Sequence, residues 1–218
     1  MTTIHIEKHS ANPGTAPSEE TQNVRQRLLK SAIKLFGEKG YAATSVNEIV
    51  SAAGVTKPNL YYYFTNKEGI YITILSEALT GYDEIFNRAS QAQGSARQRL
   101  MKICIEVYQQ FVRNIDTSRM IYSVYFGPHQ SAPPFDFETF RMRHIQLLYD
   151  LILYGISIKE FRAGDPHIMT LAVLGQCHTA MELELCHSGP TLGQEGLTKV
   201  LELLFESFAI NRTAITEE

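Results

Sequence analysis

An all-α fold, a small N-terminal three-helix unit followed by a larger helical domain, is what the sequence predicts, and three observations carry that expectation. Apolar residues recur at helical spacing nearly throughout, as at Leu28, Ala32, Leu35 and Phe36. No alternation of strand period runs to a useful length. Between the periodic stretches stand residues that start and stop helices, among them Ser45 with Glu48, Gly54, and Asp165 with Pro166. At 218 residues, 44% hydrophobic and 20% charged, the chain is long enough to bury a core.

Taken in order, residues 1–20, with their Asn, Pro, Gly, Ser and Glu, read as a flexible arm. The stretch TQNVRQRLLKSAIKLFGEKG is a first helix, which Gly40 is placed to end as a left-handed cap. In TSVNEIVSAAG, Ser45 and Glu48 have capping-box spacing, so a short helix turns Val46, Ile49 and Val50 inward. Gly54 supplies the positive φ of a tight turn, with Val55 as its apolar anchor. Thr56 caps a third short helix that tolerates Pro58 in its first turn. Thr65 and Glu68 repeat the capping spacing and open a longer helix to about Ala89. After a loop over 90–95, helices are expected near 96–114, 118–126, 136–156, 166–187 and 190–210, with loops at 127–135 and a break at 187–190.

Several classes are set aside. No run of about 18 apolar residues is present to cross a membrane, and the N-terminus lacks the apolar region of a secretory signal. Cys104, Cys177 and Cys186 form an odd set without CxxC, which suits a reducing cytoplasm. No P-loop, dinucleotide fingerprint or nucleophile elbow occurs. His178 and Glu182 stand one helical turn apart beside Cys177, Cys186 and His187, but no second cluster has ligand spacing. No metal, no other cofactor and no catalytic residue is therefore expected.

The net charge of −3 hides an asymmetry. From 21 to 67, seven cations (Arg25, Arg27, Lys30, Lys34, Lys39, Lys57, Lys67) face only Glu38 and Glu48, a local charge of +5. Such a segment either meets a polyanion or is a solvated lysine-rich surface. Two short helices joined by a tight glycine turn and braced by a third make a helix-turn-helix. The second short helix is too polar at its start to be core. Its outer face offers Lys57, Asn59, Tyr61 and Tyr62 to a groove, whereas Leu60 and Phe64 turn back toward the first helix. Tyr63 suits either role.

The stretch TSVNEIVSAAGVTKPNLYYYFTNKEGIY resembles the DNA-binding signature of the TetR (tetracycline-repressor) family of bacterial transcriptional regulators. The likeness rests on the Thr-Ser-Val start, Ile49, AAGV, the LYYYF core and the NKE opening of the fourth helix, and covers about residues 21–75. It implies an N-terminal helix-turn-helix DNA-binding domain over 21–67 and a C-terminal helical effector-binding and dimerisation domain over 68–218. It also implies roles. Thr44 and Ser45 would meet phosphate, and Asn47 a base edge. Lys57, Pro58, Asn59 and Tyr61 would lead the recognition helix, with Tyr62 and Tyr63 on the DNA backbone. Lys67 would bind phosphate at the fourth helix N-terminus. Pro58-Asn59 departs from the Gly or Ala followed by Thr of many relatives; Asn59 suits adenine or phosphate, so the operator sequence is open.

Farther on, aromatic residues crowd 108–149, interleaved with Gln109, Arg141, Arg143, His144 and Gln146. Aromatics in a helical domain are core by default, but here the resemblance implies an inducer cavity. The expected ligand is a small, largely apolar or aromatic molecule held by Tyr108, Phe111, Tyr122, Tyr125, Phe126, His144, Leu148, Tyr149, His178 and Met181. The last two helices are apolar over more than one face. Ala172, Gly175, Thr179 and Leu183 form one stripe, and Val200, Leu203, Leu204 and Phe208 a second, suited to a two-fold four-helix bundle. The expectation is thus a cytoplasmic, homodimeric, ligand-responsive DNA-binding regulator, a repressor that leaves a palindromic double-stranded operator when its inducer binds. Two alternatives stand beside it. One is a ligand-independent DNA-binding protein whose C-terminal domain only dimerises or docks a partner. The other is an enzyme using Cys177, His178 and Glu182.

Overall fold

The computed structural model describes residues 19–126, 132–186 and 191–210, which form nine α-helices and no strand. They are α1 (Glu19–Ala43), α2 (Val46–Ala53), α3 (Lys57–Phe64), α4 (Lys67–Gln91), α5 (Ala96–Arg113), α6 (Ile115–Phe126), α7 (Phe137–Ser157), α8 (Pro166–Leu185) and α9 (Gly193–Phe208). The arm expected over 1–20 lies outside the described residues up to 18, and Glu19 and Glu20 already belong to α1. The break at 187–190 and the first part of the 127–135 loop also lie outside them.

Local chemistry accounts for the first four helices. Leu28, Ala32 and Phe36 are buried along α1, while Leu35 is half-buried. Gly40 does break the helical dihedrals, but with φ 80° and ψ 167°, not as the left-handed cap expected. Ser45 and Glu48 close the capping box of α2, and Gly54 ends it in the left-handed region at φ 61°, ψ 41°. Pro58 sits in the first turn of α3. The cap of α4 falls one residue later than the spacing suggested: Asn66 Oδ1 accepts from Gly69 N–H at 2.7 Å. Thr65 instead closes α3 at φ 63°, its N–H donating to Tyr61 O. A Cβ on Gly69 would lie 1.9 Å from Phe64 O, so only glycine allows α4 to start this close behind α3.

Two buried clusters organise the rest. The first joins Leu28, Phe36, Ile49, Leu60 and Phe64 to Ile70, Tyr71, Ile74 and Leu75 of α4 and to Met120 of α6. Packing therefore does not divide at residue 67, because the N-terminal core runs on to Leu75. The second cluster draws on α5, α7, α8 and α9. Tyr108 meets Glu184 at the end of α8, next to the Gln109–Gln194 bond at the start of α9. At the other end Phe208 packs on Phe161, just before α8, so α9 returns antiparallel to α8. Phe208 is thereby core, 5% exposed, and drops out of the outward stripe expected on the last helix.

Candidate nucleic-acid interface and ligand cavity

The face that α3 turns outward is set by what it turns inward. Leu60 and Phe64, four residues apart, are buried against α1, which leaves Tyr61 49% and Tyr62 79% exposed. Lys57 and Pro58 are exposed and Asn59 half-buried. Tyr63 is half-buried, packed on the N-terminal cluster and edge-on to Tyr62 at 4.9 Å. Ser45 and Asn47 are exposed on α2, although the Ser45 hydroxyl is engaged with Glu48. The Lys39 ammonium and then Ser45 draw the Glu48 carboxyl down to about 2, so this box stays ionised.

Two residues expected to meet phosphate are turned to other uses. Thr44 is 1% exposed, and its hydroxyl donates to Gly40 O at 2.9 Å, the carbonyl freed where α1 kinks. Its side chain is sealed inside the turn and is not a phosphate ligand. Lys67 donates to the carbonyls of Tyr41 and Thr44, both at 3.0 Å, with its ammonium 4.1 Å above the Tyr41 ring. That half-buried lysine ties the α1–α2 turn to the start of α4, leaving one N–H for an outside partner. Asn59 is also committed in part. Its Oδ1 accepts from Thr56 N–H at 3.1 Å and from the Thr56 hydroxyl at 2.7 Å. With both lone pairs used, the amide presents only N–H donors, and a bidentate grip on adenine, which needs the oxygen as acceptor, is closed.

Much of the local positive charge is likewise internal. Arg25 pairs with Glu77, Lys39 with Glu48 and Lys34 with Glu38. Arg27, whose role nothing in its sequence neighbourhood signals, holds Gly54 O at 2.9 Å and so braces the helix-turn-helix turn. Among the described residues Lys57 has no bonded partner and is exposed at the tip of α3.

A cavity of about 450 Å³ lies among α4, α5, α6, α7 and α8, within the range of small-molecule sites. Phe111, Tyr122, Tyr125, Phe126, His144, Leu148, His178 and Met181 line it. Tyr108 and Tyr149 do not. On α5 the inward positions are Ile103, Cys104, Val107 and Phe111, so Tyr108 is rotated away and donates its hydroxyl to Glu184 at 2.5 Å. On α7 Tyr149 is one residue past the inward Leu148 and packs on His167 at 4.5 Å. Sequence reasoning missed Leu79, Tyr82 and Phe86 of α4, though their helical spacing was a readable apolar stripe.

The polar groups of the wall bring little charge into the cavity, and the buried His144 Nε2 has no hydrogen-bond partner among the described residues. His144 stacks on Phe86 at 3.6 Å, with Phe140 edge-on at 3.8 Å. Burial lowers its pKa to about 4 against the opposing pull of Asp83, 3.5 Å away, so it is neutral at pH 7. Asp83 is itself gripped through both oxygens by Arg143. Arg141 forks onto Glu138 at 2.6 and 3.0 Å. At the exposed rim, the apolar surroundings and then Arg141 lower the pKa of His178. The Tyr82 hydroxyl, raised to about 12 by burial, stays protonated. The wall thus suits an uncharged, largely apolar guest.

An apolar face remains uncovered. No Asp, Glu, Lys or Arg occurs from Pro166 to Met181. Ile168, Leu171 and Leu203 are exposed, as are Gly175 and Thr179, and Ala172, Leu183, Val200 and Leu204 are half-buried. Cys177 is buried and Cys186 exposed, and no group of three His, Cys, Asp or Glu converges among the described residues.

Comparison with known proteins meets this geometry at the head. Residues 28–74 match the family described as bacterial regulatory proteins, tetR family. The transcriptional regulator AcrR of Shigella flexneri is 33% identical over 110 residues, 50% of each chain. The transcriptional repressor KstR2 of Mycolicibacterium smegmatis is 28% identical over 152 residues, 67% of this chain and 73% of that one. The chain spans about half the length of the first curated relatives it matches. The crystal structure of the TetR family regulator PfmR from Thermus thermophilus superposes with a TM-score of 0.68 at 26% identity, covering 86% of this chain and 97% of that one. The helix-turn-helix head over residues 28–74 thus matches the tetR family of bacterial regulatory proteins, and the all-helical frame that carries it is similar to that of the TetR family regulator PfmR.

Proposed function

We propose that the protein is a DNA-binding transcriptional regulator, a repressor, whose hold on its operator is controlled by an uncharged, largely apolar or aromatic molecule in the α4–α8 cavity. One observation carries the reading: α4 belongs to both places. Its first turn fixes the head through Asn66 and Lys67, its next two turns supply Ile70, Tyr71, Ile74 and Leu75 to the head core, and its second half lines the cavity with Leu79, Tyr82 and Phe86. A guest that displaces the cavity segment of this helix moves the head with it. Residues 21–67 serve as the reading head and the remainder as the effector and dimerisation part. The apolar face of α8 and α9 is where a second copy packs as a four-helix bundle, so that two α3 helices enter successive major grooves of a palindromic site. Of the relatives, the named repressor KstR2 supports the direction of control. Binding DNA and binding the guest oppose each other by the same factor.

Within this reading Lys57, Tyr61 and Tyr62 approach DNA directly, Asn59 donates, and Ser45 and Asn47 flank from α2. Selection of bound fragments from genomic DNA, followed by gel-shift with purified dimer, tests it. The expected result is an inverted-repeat site whose affinity falls when a neutral cavity ligand, found by thermal shift, is added. Binding that no cavity ligand alters would favour a regulator in which the larger domain only dimerises.

A further inference from the structure

A second cavity, of about 540 Å³, lies where the head meets the larger domain. Six rings face it: Phe36, Tyr41 and Tyr71 from α1 and α4, and Tyr125, Phe135 and Phe137 from α6 and the entry to α7. Tyr71 is fully buried, yet its hydroxyl has no hydrogen-bond partner among the described residues. A buried phenol left unpaired is costly, by about 1–3 kcal/mol for a typical group, and marks a place where an added partner is rewarded.

The charges around this cavity differ from those of the first. Asp136 and Glu138 line it, and no Lys, Arg or His does so among the described residues. Glu138 is paired with Arg141, whereas Asp136, exposed at the rim, has no cationic partner among the described residues; the Thr139 N–H, then the Thr139 side chain and the Glu138 N–H, hold its carboxyl below the usual range and keep it ionised. Ring faces carry negative potential and attract cations, most strongly where water is excluded. Tyr41 already shows that preference, since the Lys67 ammonium rests over its ring, with both of its described hydrogen bonds going to backbone carbonyls.

We infer that this junction cavity is a second ligand site, distinct from the effector cavity, and that it takes a compact organic cation: an ammonium on an aromatic body. The rings and the Asp136 carboxylate receive the charge, and the Tyr71 phenol oxygen accepts an ammonium N–H. Tyr125 and Phe137 line both cavities, so residues that line only one are the ones to vary.

Calorimetric titration of the full chain with three probes of similar shape tests the assignment: 2-phenylethylammonium, 2-phenylethanol and 3-phenylpropanoate. The ammonium is expected to bind about fivefold or more tighter than the alcohol, and the carboxylate weakest. Asp136→Asn keeps a good helix cap while removing the charge. It should weaken the ammonium about threefold or more and leave the alcohol unchanged. Tyr71→Phe should weaken the ammonium as well. Met181→Trp fills the effector cavity only and should leave ammonium binding as it was, which separates this site from the proposed inducer site. Equal binding of carboxylate and ammonium, indifference to Asp136→Asn, loss of ammonium binding in Met181→Trp, or no binding at millimolar probe would each overturn the inference.

Discussion

Replacing Lys67 by Met keeps an unbranched apolar stem and removes the ammonium that ties the α1–α2 turn to α4. Two charge-assisted bonds at 3.0 Å and a cation over a ring at 4.1 Å disappear with it. Hydrogen bonds to charged groups are worth about 1.5–3 kcal/mol each, and an exposed cation–ring contact about 0.5–1 kcal/mol. Lys67 is only half-buried, so water re-solvates the freed carbonyls and screens part of this; the expected loss is about 2–3 kcal/mol. Against a typical domain stability of about 5–15 kcal/mol, that is large enough to read from urea unfolding at fixed protein concentration. Lys57→Ala is the control. It is exposed and should change stability by less than about 0.5 kcal/mol, yet make the fall of log affinity with log salt shallower by about 0.9, the share of one neutralised phosphate. Lys67→Met at wild-type stability, with a slope reduced by about 0.9, would refute the clamp and restore a plain phosphate ligand.

Gly69→Ala drives a Cβ to 1.9 Å from Phe64 O, so the α3–α4 turn must shift; a loss of about 3 kcal/mol or more in thermal or urea unfolding is expected, and a neutral result would mean the turn is looser than drawn. With the Asn59 oxygen occupied by Thr56, binding-site selection on wild type and Asn59→Ala should show any base preference that disappears to be for an edge that offers acceptors, guanine above all; disappearance of a cytosine preference, whose major-groove edge offers only a donor, would contradict it. For His144 the folded pKa lies below the unfolded value of 6.5, so the unfolded chain takes up the proton first as pH falls. Stability is therefore lost between about pH 6.5 and 4, by no more than about 3 kcal/mol given partial exposure, and is unaffected above that window. His144→Gln should flatten this part of the stability–pH curve relative to wild type, and identical curves would exclude a buried neutral imidazole.

How far the site was legible follows from the range of the interactions that make it. The Ser45–Glu48 box, the Gly54 turn and the inward Leu60 and Phe64 depend on neighbours within four residues, and residue type with helical period is enough to place them. Asn66 shows the limit of spacing alone. Thr65 and Glu68 had the right separation, but only Asn66 has the extended dihedrals a cap requires. Tyr108 and Tyr149 show another: aromatic crowding says that rings are buried, not which way, and a single helical step turned both out of the cavity.

What the amino-acid order determined by itself was the helical class, the helix-turn-helix and the outward face of its second helix, because period, caps and turns are local. Only the tertiary structure decided that Lys67 serves the scaffold and that α4 spans the head and the cavity. Those outcomes depend on groups far apart in the chain meeting in space, and the Tyr41 carbonyl that claims Lys67, 26 residues away, leaves no trace in the sequence beside it. A hydrogen-bonding group has few bonds to give, and the fold settles which neighbour takes them.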